Sequence, residues 1–117
     1  MSDSILGTIK QKLGGMDETY TAFDQDIVTS INTALMIATQ IGVGPDSGFF
    51  VTGETDTWED WLGADESRLE AIKDYIYLRV RLLFDPPSNS FLVASIEKQL
   101  DMLEWRLNIR AEEENSV

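Results

Sequence analysis

The sequence of 117 residues contains no cysteine and no histidine, which removes several kinds of functional site. Without cysteine the chain forms no disulfide bond and offers no thiolate to a metal ion. Without histidine it has no side chain whose unperturbed pKa lies near neutrality. No apolar run approaches the roughly 18 residues of a membrane span, and the N-terminus does not resemble a secretory signal. We therefore expect neither a membrane anchor nor secretion.

Basic residues are scarce, since nine lysines and arginines stand against 21 acidic residues and the net charge is −12. No basic residue occurs between Lys12 and Arg68, whereas eleven acidic residues lie in that interval. Proteins that bind the DNA backbone use clustered lysine and arginine, so we predict that this protein does not bind DNA directly. The acidic half is either a solubilising surface or one that repels nucleic acid or meets a basic partner.

The spacing of apolar residues predicts an all-α domain, a small bundle of about four helices with one long irregular loop. We place the helices at residues 2–13, 21–41, 65–84 and 90–110, and the glycine- and tryptophan-containing loop between residues 42 and 64. The third helix is apolar on two faces, which favours a central position. Residues 1–110 then form a single domain, and residues 111–117, AEEENSV, are expected to be a flexible acidic tail.

The loop and the helix starts carry local signals of their own. The apolar run at residues 49–52 is typical of a short edge strand. Side chains that can accept hydrogen bonds from free backbone N–H groups predict the N-caps. The candidates are Ser2, Asp3 or Ser4 for the first helix, a Thr21–Asp24 capping box for the second, an Asp56–Glu59 capping box for a brief helix in the loop, and Ser88 or Ser90 for the last helix.

The segment LRVRLLFDPPSNSF at residues 78–91 predicts a rigid corner between the last two long helices. Pro86 has no backbone N–H, and its ring forces Asp85 out of the helical region, so the third helix must end there. Pro87 repeats the block. A stop followed closely by a capped start leaves the corner little conformational freedom.

Two arginines, Arg79 and Arg81, lie in the most apolar helix. Arginine in apolar surroundings needs a partner, because an unpaired buried charge is strongly destabilising. We expect both to pair with carboxylates such as Asp74 or Asp85, or with a carboxylate of a neighbouring chain.

Four aromatic residues of the loop, Phe49, Phe50, Trp58 and Trp61, are the candidate interface residues. Trp58 and Trp61 are three residues apart on one predicted helical turn, so both can face the same way. They either plug the loop onto the helical core or contact another subunit or partner, where tryptophan and phenylalanine are enriched. Phe49 and Phe50 point to opposite sides of an extended segment, which can leave one of them for a neighbour.

The sequence provides no specific catalytic, cofactor or metal site. The run from Gly42 to Gly48 follows a helix and lacks the spacing and the Lys-Ser/Thr sequel of a phosphate-binding loop, so we interpret it as a helix end and a turn. The acidic residues between 54 and 66 do not match an EF-hand loop, and a divalent ion there is the less favoured alternative to a solvated surface. No nucleophile, base and orienting group occur together, and we predict a protein that is not an enzyme.

Several segments, in their order and combination, resemble the head-tail connector family of long-tailed bacteriophages, also known as head-completion or adaptor proteins. The resemblance covers roughly residues 23–107. Its carriers are FDQDIVTSINTAL at 23–35, QIGVGPDSGF at 40–49, TWEDWLG at 57–63, YIYLRVRLLFDPPSNSF at 75–91 and LEWRLN at 103–108. Asp24, Asp26 and the LLFDPP corner are closest to the family pattern, whereas the first helix and the acidic tail are not diagnostic.

The resemblance implies a structural protein of the virion neck that assembles in the host cytoplasm. Connectors of this kind form a ring, usually of twelve subunits, beneath the portal, extend its DNA channel, and provide the surface on which a stopper or tail-completion protein docks. No cofactor and no membrane are implied. DNA would pass without sequence-specific binding, because a wall with few cations does not hold phosphates through counterion release.

In this family the C-terminal segment commonly reaches toward the portal, which makes Arg106, Arg110, Glu112, Glu113 and Glu114 the candidate portal-docking residues. The loop aromatics would lie at the contact between subunits or at a partner surface, because each subunit of a ring meets its neighbours through two different faces. The alternative is another ring-forming DNA-packaging protein, such as a small terminase subunit. Such a protein should carry a basic recognition helix, and none is visible in the sequence.

Overall fold

The computed structural model describes residues 4–14 and 21–115, with side chains described up to Asn108. In this part of the chain there are five α-helices and no strand, so the all-α prediction is confirmed. The helices are α1 Ile5–Leu13, α2 Asp24–Gln40, α3 Trp58–Leu62, α4 Leu69–Phe84 and α5 Ser90–Asn115. The four longer helices are those that the apolar spacing predicted, and α3 is the brief helix expected inside the loop.

α4 lies at the centre of the bundle. α1, α2 and α5 all pack against it, and α1 also packs against α2. Ile72, Tyr75, Ile76 and Val80 are fully buried along α4, and they belong to the two apolar stripes read from the sequence. A helix that is apolar on two faces needs cover on both, which explains its central position.

The starts of the first two long helices differ in how they are capped. Ser4 caps α1, because its hydroxyl accepts a hydrogen bond from the backbone N–H of Gly7 at 3.1 Å, while the other two candidates lie outside the described residues. α2 has no side-chain cap, so the predicted Thr21–Asp24 capping box is wrong. The Asp24 carboxylate instead forms an ion pair with the buried Lys10 of α1 at 2.8 Å, and this tertiary partner replaces the local one.

The capping box of α3 lies one residue later than the predicted Asp56–Glu59 pair. The Thr57 hydroxyl accepts a hydrogen bond from the backbone N–H of Asp60, and the Asp60 carboxylate accepts one from the backbone N–H of Thr57, both at 3.1 Å. The Asp56 carboxylate is occupied elsewhere, since it accepts a hydrogen bond from the backbone N–H of Thr52 at 2.7 Å. This bond holds the pKa of Asp56 below its ordinary value and closes the turn that precedes α3.

The proline corner has the form that the sequence predicted, with α4 ending at Phe84 and α5 beginning at Ser90. Asn89 caps α5, because its side-chain oxygen accepts a hydrogen bond from the backbone N–H of Phe91 at 2.8 Å. Ser88 and Ser90 were therefore the wrong candidates. The N-cap is the residue directly before the first helical one, and that position belongs to Asn89.

α5 buries one face, on which Leu100 and Leu107 are almost fully covered. The helical spacing of apolar residues in the sequence of α5 includes Phe91, but its side chain is exposed to solvent. Five residues separate it from the half-buried Ile96, which turns its side chain about 140° away from the core at 100° per residue. The backbone of α5 is helical to Asn115, past the predicted end at residue 110, and the separate acidic tail stays a prediction.

The loop between α2 and α3 is held by a side chain rather than by strand pairing. Asn32 of α2 donates a hydrogen bond from Nδ2 to the carbonyl of Val51 at 3.0 Å and accepts one from the backbone N–H of Val51 at 2.7 Å. Its carboxamide thereby satisfies the groups that a neighbouring strand would have paired. The predicted edge strand at residues 49–52 is therefore wrong, because a side chain takes the place of the strand partner.

Candidate functional site

Two of the four candidate interface residues, Trp58 and Trp61, are buried within the core of the chain itself. Their exposed fractions are 1% and 3%, and their ring centroids lie 6.1 Å apart. The indole N–H of Trp58 donates a hydrogen bond to the hydroxyl of Thr8 at 2.9 Å, which fixes α3 against α1. Of the two roles that the sequence left open, the structure shows the plug of the loop onto the core, and neither indole is presented to a partner.

The other two candidates, Phe49 and Phe50, are divided between the core and the surface. Phe49 is half-buried and packs against the hydrophobic core, whereas Phe50 is 75% exposed. Adjacent residues of an extended segment point to opposite sides, which accounts for the difference. Phe50 is the member of the set that a partner can reach, and its interface role stays a prediction.

The candidate portal-docking residues lie at the end of α5. Arg106 is exposed there, and it makes no ion pair with any residue that the structure describes. The side chains of Arg110, Glu112, Glu113 and Glu114 lie outside the described residues, although the backbone at these positions belongs to α5. Their role in portal docking stays a prediction.

Phe50 lies at a groove on the outer face of α2, which we term the α2 groove. It encloses about 540 Å³, and the loop forms its other wall. Its lining residues are Thr29, Asn32, Thr33, Met36, Thr39 and Gln40 of α2 and residues 46–50 of the loop. Asp46 is the one charged residue among them, and Met36 is exposed. Sequence reasoning missed Met36, because a single apolar residue on a polar helix face gives no periodic signal.

A second exposed surface follows the outer face of α5, where Phe91, Lys98, Met102 and Trp105 form what we term the α5 stripe. Its three apolar members are between 52% and 78% exposed. Separations of seven, four and three residues place all four side chains within about 60° of one another around the helix. In the sequence these residues form a second helical spacing, opposite the face on which Leu100 and Leu107 are buried.

A polar network joins α4 to α5. The Glu104 carboxylate accepts a hydrogen bond from the hydroxyl of Tyr75 at 2.7 Å and forms an ion pair with Arg79, which also donates to the Tyr75 hydroxyl at 3.2 Å. Arg81 lies 4.0 Å from Asp85. The expected pairing of both arginines within the fold is confirmed, and Glu104 is a partner that the sequence did not single out.

Tyr75 of this network makes the stability of the protein depend on pH in the alkaline range. Burial and the hydrogen bond to Glu104 raise the pKa of Tyr75 from 10.0 to about 12. A group whose pKa is raised on folding stabilises the native state fully below its unfolded pKa and loses that contribution as the pH rises through its folded pKa. We expect the free energy of unfolding to fall between pH 10 and pH 12 in the natural protein, and to fall less steeply in Tyr75→Phe. Urea titrations of both proteins across this range test it, and equal slopes would contradict it.

Most of the basic side chains form ion pairs with carboxylates. Six of the nine lysines and arginines form ion pairs, namely Lys10 with Asp24, Lys12 with Asp74, Arg68 with Glu66, Lys73 with Glu70, Arg79 with Glu104 and Arg81 with Asp85. A cation that is paired with a carboxylate is less available to bind a phosphate. The pairs are therefore consistent with the prediction that the protein does not bind DNA directly.

Neither an ion site nor a membrane span is found in the described residues. In the ranges 4–14 and 21–115, no three acidic side chains converge as metal ligands. None of the helices described there combines the length and the hydrophobicity needed to cross a bilayer.

The described residues form an all-α bundle in which most cations are paired and two helices carry exposed apolar side chains. The chain matches the phage connector protein family over residues 5–114, and it belongs to that family. No curated protein and no solved structure matches it. The family resemblance read from the sequence is confirmed. The family is a structural one that fits a place at the neck of the virion, which is consistent with a protein that is not an enzyme.

Proposed function

We propose that this chain is the repeating subunit of a head-tail connector ring that binds beneath the portal, extends its DNA channel, and presents a docking surface to a stopper or tail-completion protein. Family membership over residues 5–114 carries the general role. The α2 groove and the α5 stripe support the ring, because they are two separate exposed surfaces on one subunit. A closed ring requires two different faces on every subunit.

The distribution of charge supports a channel through which DNA slides. The interval from Lys12 to Arg68 has no basic residue and eleven acidic ones. A wall that binds few phosphates releases few counterions, so it gains little free energy by holding DNA. The ring, of twelve subunits in this proposal, would assemble in the host cytoplasm and remain in the neck of the particle.

The structure favours this function over that of a small terminase subunit. A DNA-packaging protein that reads DNA places a helix with several unpaired cations in a groove of the duplex. Among the described side chains of α4, both Arg79 and Arg81 are paired with carboxylates. Among the described side chains of α5, which end at Asn108, Lys98 and Arg106 lie outside such pairs, and they are eight residues apart.

Portal binding is the decisive test of the proposed function. Native mass measurement of the purified chain, alone and mixed with the portal protein of the same phage, should show several copies of the chain on each portal ring. Deletion of residues 111–117 should weaken this complex if the C-terminal segment docks on the portal. A matched variant with Glu112, Glu113 and Glu114 changed to glutamine keeps the length and removes the charge. A chain that never binds portal would refute the proposed function, and undiminished binding after the deletion would remove the tail from it.

A further inference from the structure

The α2 groove carries little charge in a strongly charged protein. Charged residues make up 26% of the chain, yet Asp46 is the one charged residue lining the groove. Phe50 and Met36 project at its edge and are largely exposed. Depletion of charge together with exposed phenylalanine and methionine is typical of the centre of a protein interface.

The α5 stripe has the spacing of a helix face that inserts into a groove. Phe91, Met102 and Trp105 lie on the side of α5 opposite to the buried Leu100 and Leu107. An amphipathic helix that docks in this way presents large apolar anchors at helical spacing, and tryptophan is the residue most often found at the energetic centre of such contacts. Nothing within the described part of the subunit covers these side chains, since all three are more than half exposed.

The groove and the stripe match in length. From Phe91 to Trp105 the stripe rises about 21 Å, and from Thr29 to Gln40 the α2 wall of the groove rises about 17 Å, at 1.5 Å per residue. The volume of about 540 Å³ is large enough to receive more than one aromatic side chain.

The two surfaces also match in charge. Lys98 lies in the middle of the stripe, is exposed, and makes no ion pair with any described residue. Asp46 is the exposed carboxylate of the groove, and it lies in the half of the chain that has no cation. A lysine that enters this groove therefore meets an opposite charge, and a second acidic surface placed there would be repelled.

We infer that the occupant of the α2 groove is the α5 stripe of a second copy of this chain, with Lys98 of one subunit placed against Asp46 of the next. The groove and the stripe have no residue in common, so the contact joins two different surfaces of the chain. The contact is therefore heterologous, and repetition of it closes a ring or extends a filament. The inference rests on the proposed function in so far as the connector acts as a ring.

The natural absence of cysteine gives a direct test by cross-linking. Ser47 lines the groove and Asp101 neighbours Lys98 and Trp105 on α5, and both are exposed, so cysteine at either position leaves the core unchanged. The double variant Ser47→Cys/Asp101→Cys, treated with a short bis-maleimide at the concentration at which it assembles on portal, should give a ladder of dimers, trimers and higher multimers. Each single variant should stay monomeric on a denaturing gel, because equivalent positions are far apart in a heterologous contact.

Portal binding is measured on the same samples, which separates the two claims. A ladder without portal binding supports the contact and refutes the proposed function. Portal-bound chains that give no ladder overturn the contact and leave the proposed function standing, and a chain that shows neither overturns both. Dimers from Asp101→Cys alone would show that α5 pairs with α5, which also overturns the contact.

Three further variants test the energetic centre and the charge pairing of the contact. Trp105→Ala should weaken self-association by about 30-fold or more, as expected for truncation of a central tryptophan. Lys98→Glu should weaken it as well, and Lys98→Glu combined with Asp46→Lys should restore it in part. An unchanged association constant in both single variants would overturn the proposed contact.

Discussion

Replacement of Trp58 by alanine is expected to lower the free energy of unfolding by about 3–5 kcal/mol, the usual range for removing a large aromatic residue from a core. Trp58 is 1% exposed and donates its indole N–H to Thr8 at 2.9 Å. Its ring also lies 6.0 Å from the ammonium group of Lys73 on α4. The variant loses these contacts with α1 and α4, and α3 depends on them because it has only five residues.

Trp105 supplies the matched control, since it is the same residue type on the surface of α5 and is 67% exposed. Trp105→Ala should change the free energy of unfolding by no more than about 0.5 kcal/mol, as for most surface substitutions. Thermal unfolding should show Trp58→Ala melting about 12–20 °C below the natural protein, at roughly 4 °C per kcal/mol for a chain of this size. If Trp58→Ala melted normally but no longer assembled, the indole would be an interface anchor instead of a core plug.

Substitution of Gly44 by alanine should lower the free energy of unfolding by about 2–4 kcal/mol, from a backbone term and an overpacking term. Gly44 has φ of +79°, a conformation that side chains with a Cβ rarely adopt. A Cβ placed there would lie 2.3 Å from the indole nitrogen of Trp61. Trp61 is itself buried, so it has no room to move away.

Gly48 separates the backbone contribution from the overpacking contribution. It has φ of +83°, but no atom lies within 4 Å of the Cβ that alanine would add. Gly48→Ala should therefore carry only the backbone term, about 1–2 kcal/mol. Chemical denaturation of both variants measures the difference. Equal losses of unfolding free energy at the two positions would show that the close approach to Trp61 does not contribute to the effect.

The signals that were read correctly from the sequence act over a few residues. Pro86 ends α4 because its ring and missing N–H act on the residues beside it, and the corner appears where it was predicted. The two apolar stripes of α4 required cover on both faces, and the helix is central. Family membership was also accessible, because it depends on the order of such segments along the chain.

The features that were missed depend on residues far apart in the chain. Asn32 replaces a strand partner for Val51, which lies 19 positions away, and no local pattern announces this. Arg79 selects Glu104 from 25 positions away, although Asp85 lies closer in the chain. The Thr21–Asp24 capping box failed because α2 begins at Asp24, whose carboxylate pairs with Lys10 of another helix.

The sequence by itself determined the helices, the proline corner, the cation-poor half and the family, because each depends on composition or on neighbours within a turn or two. Only the tertiary structure decided which aromatics are available for contacts. Trp58 and Trp61 turn inward because α1 and the loop close over them, whereas Trp105 lies outward because Leu100 and Leu107 already occupy the face of α5 that meets the core. Burial is a property of what surrounds a side chain, and the packing of distant helices sets those surroundings.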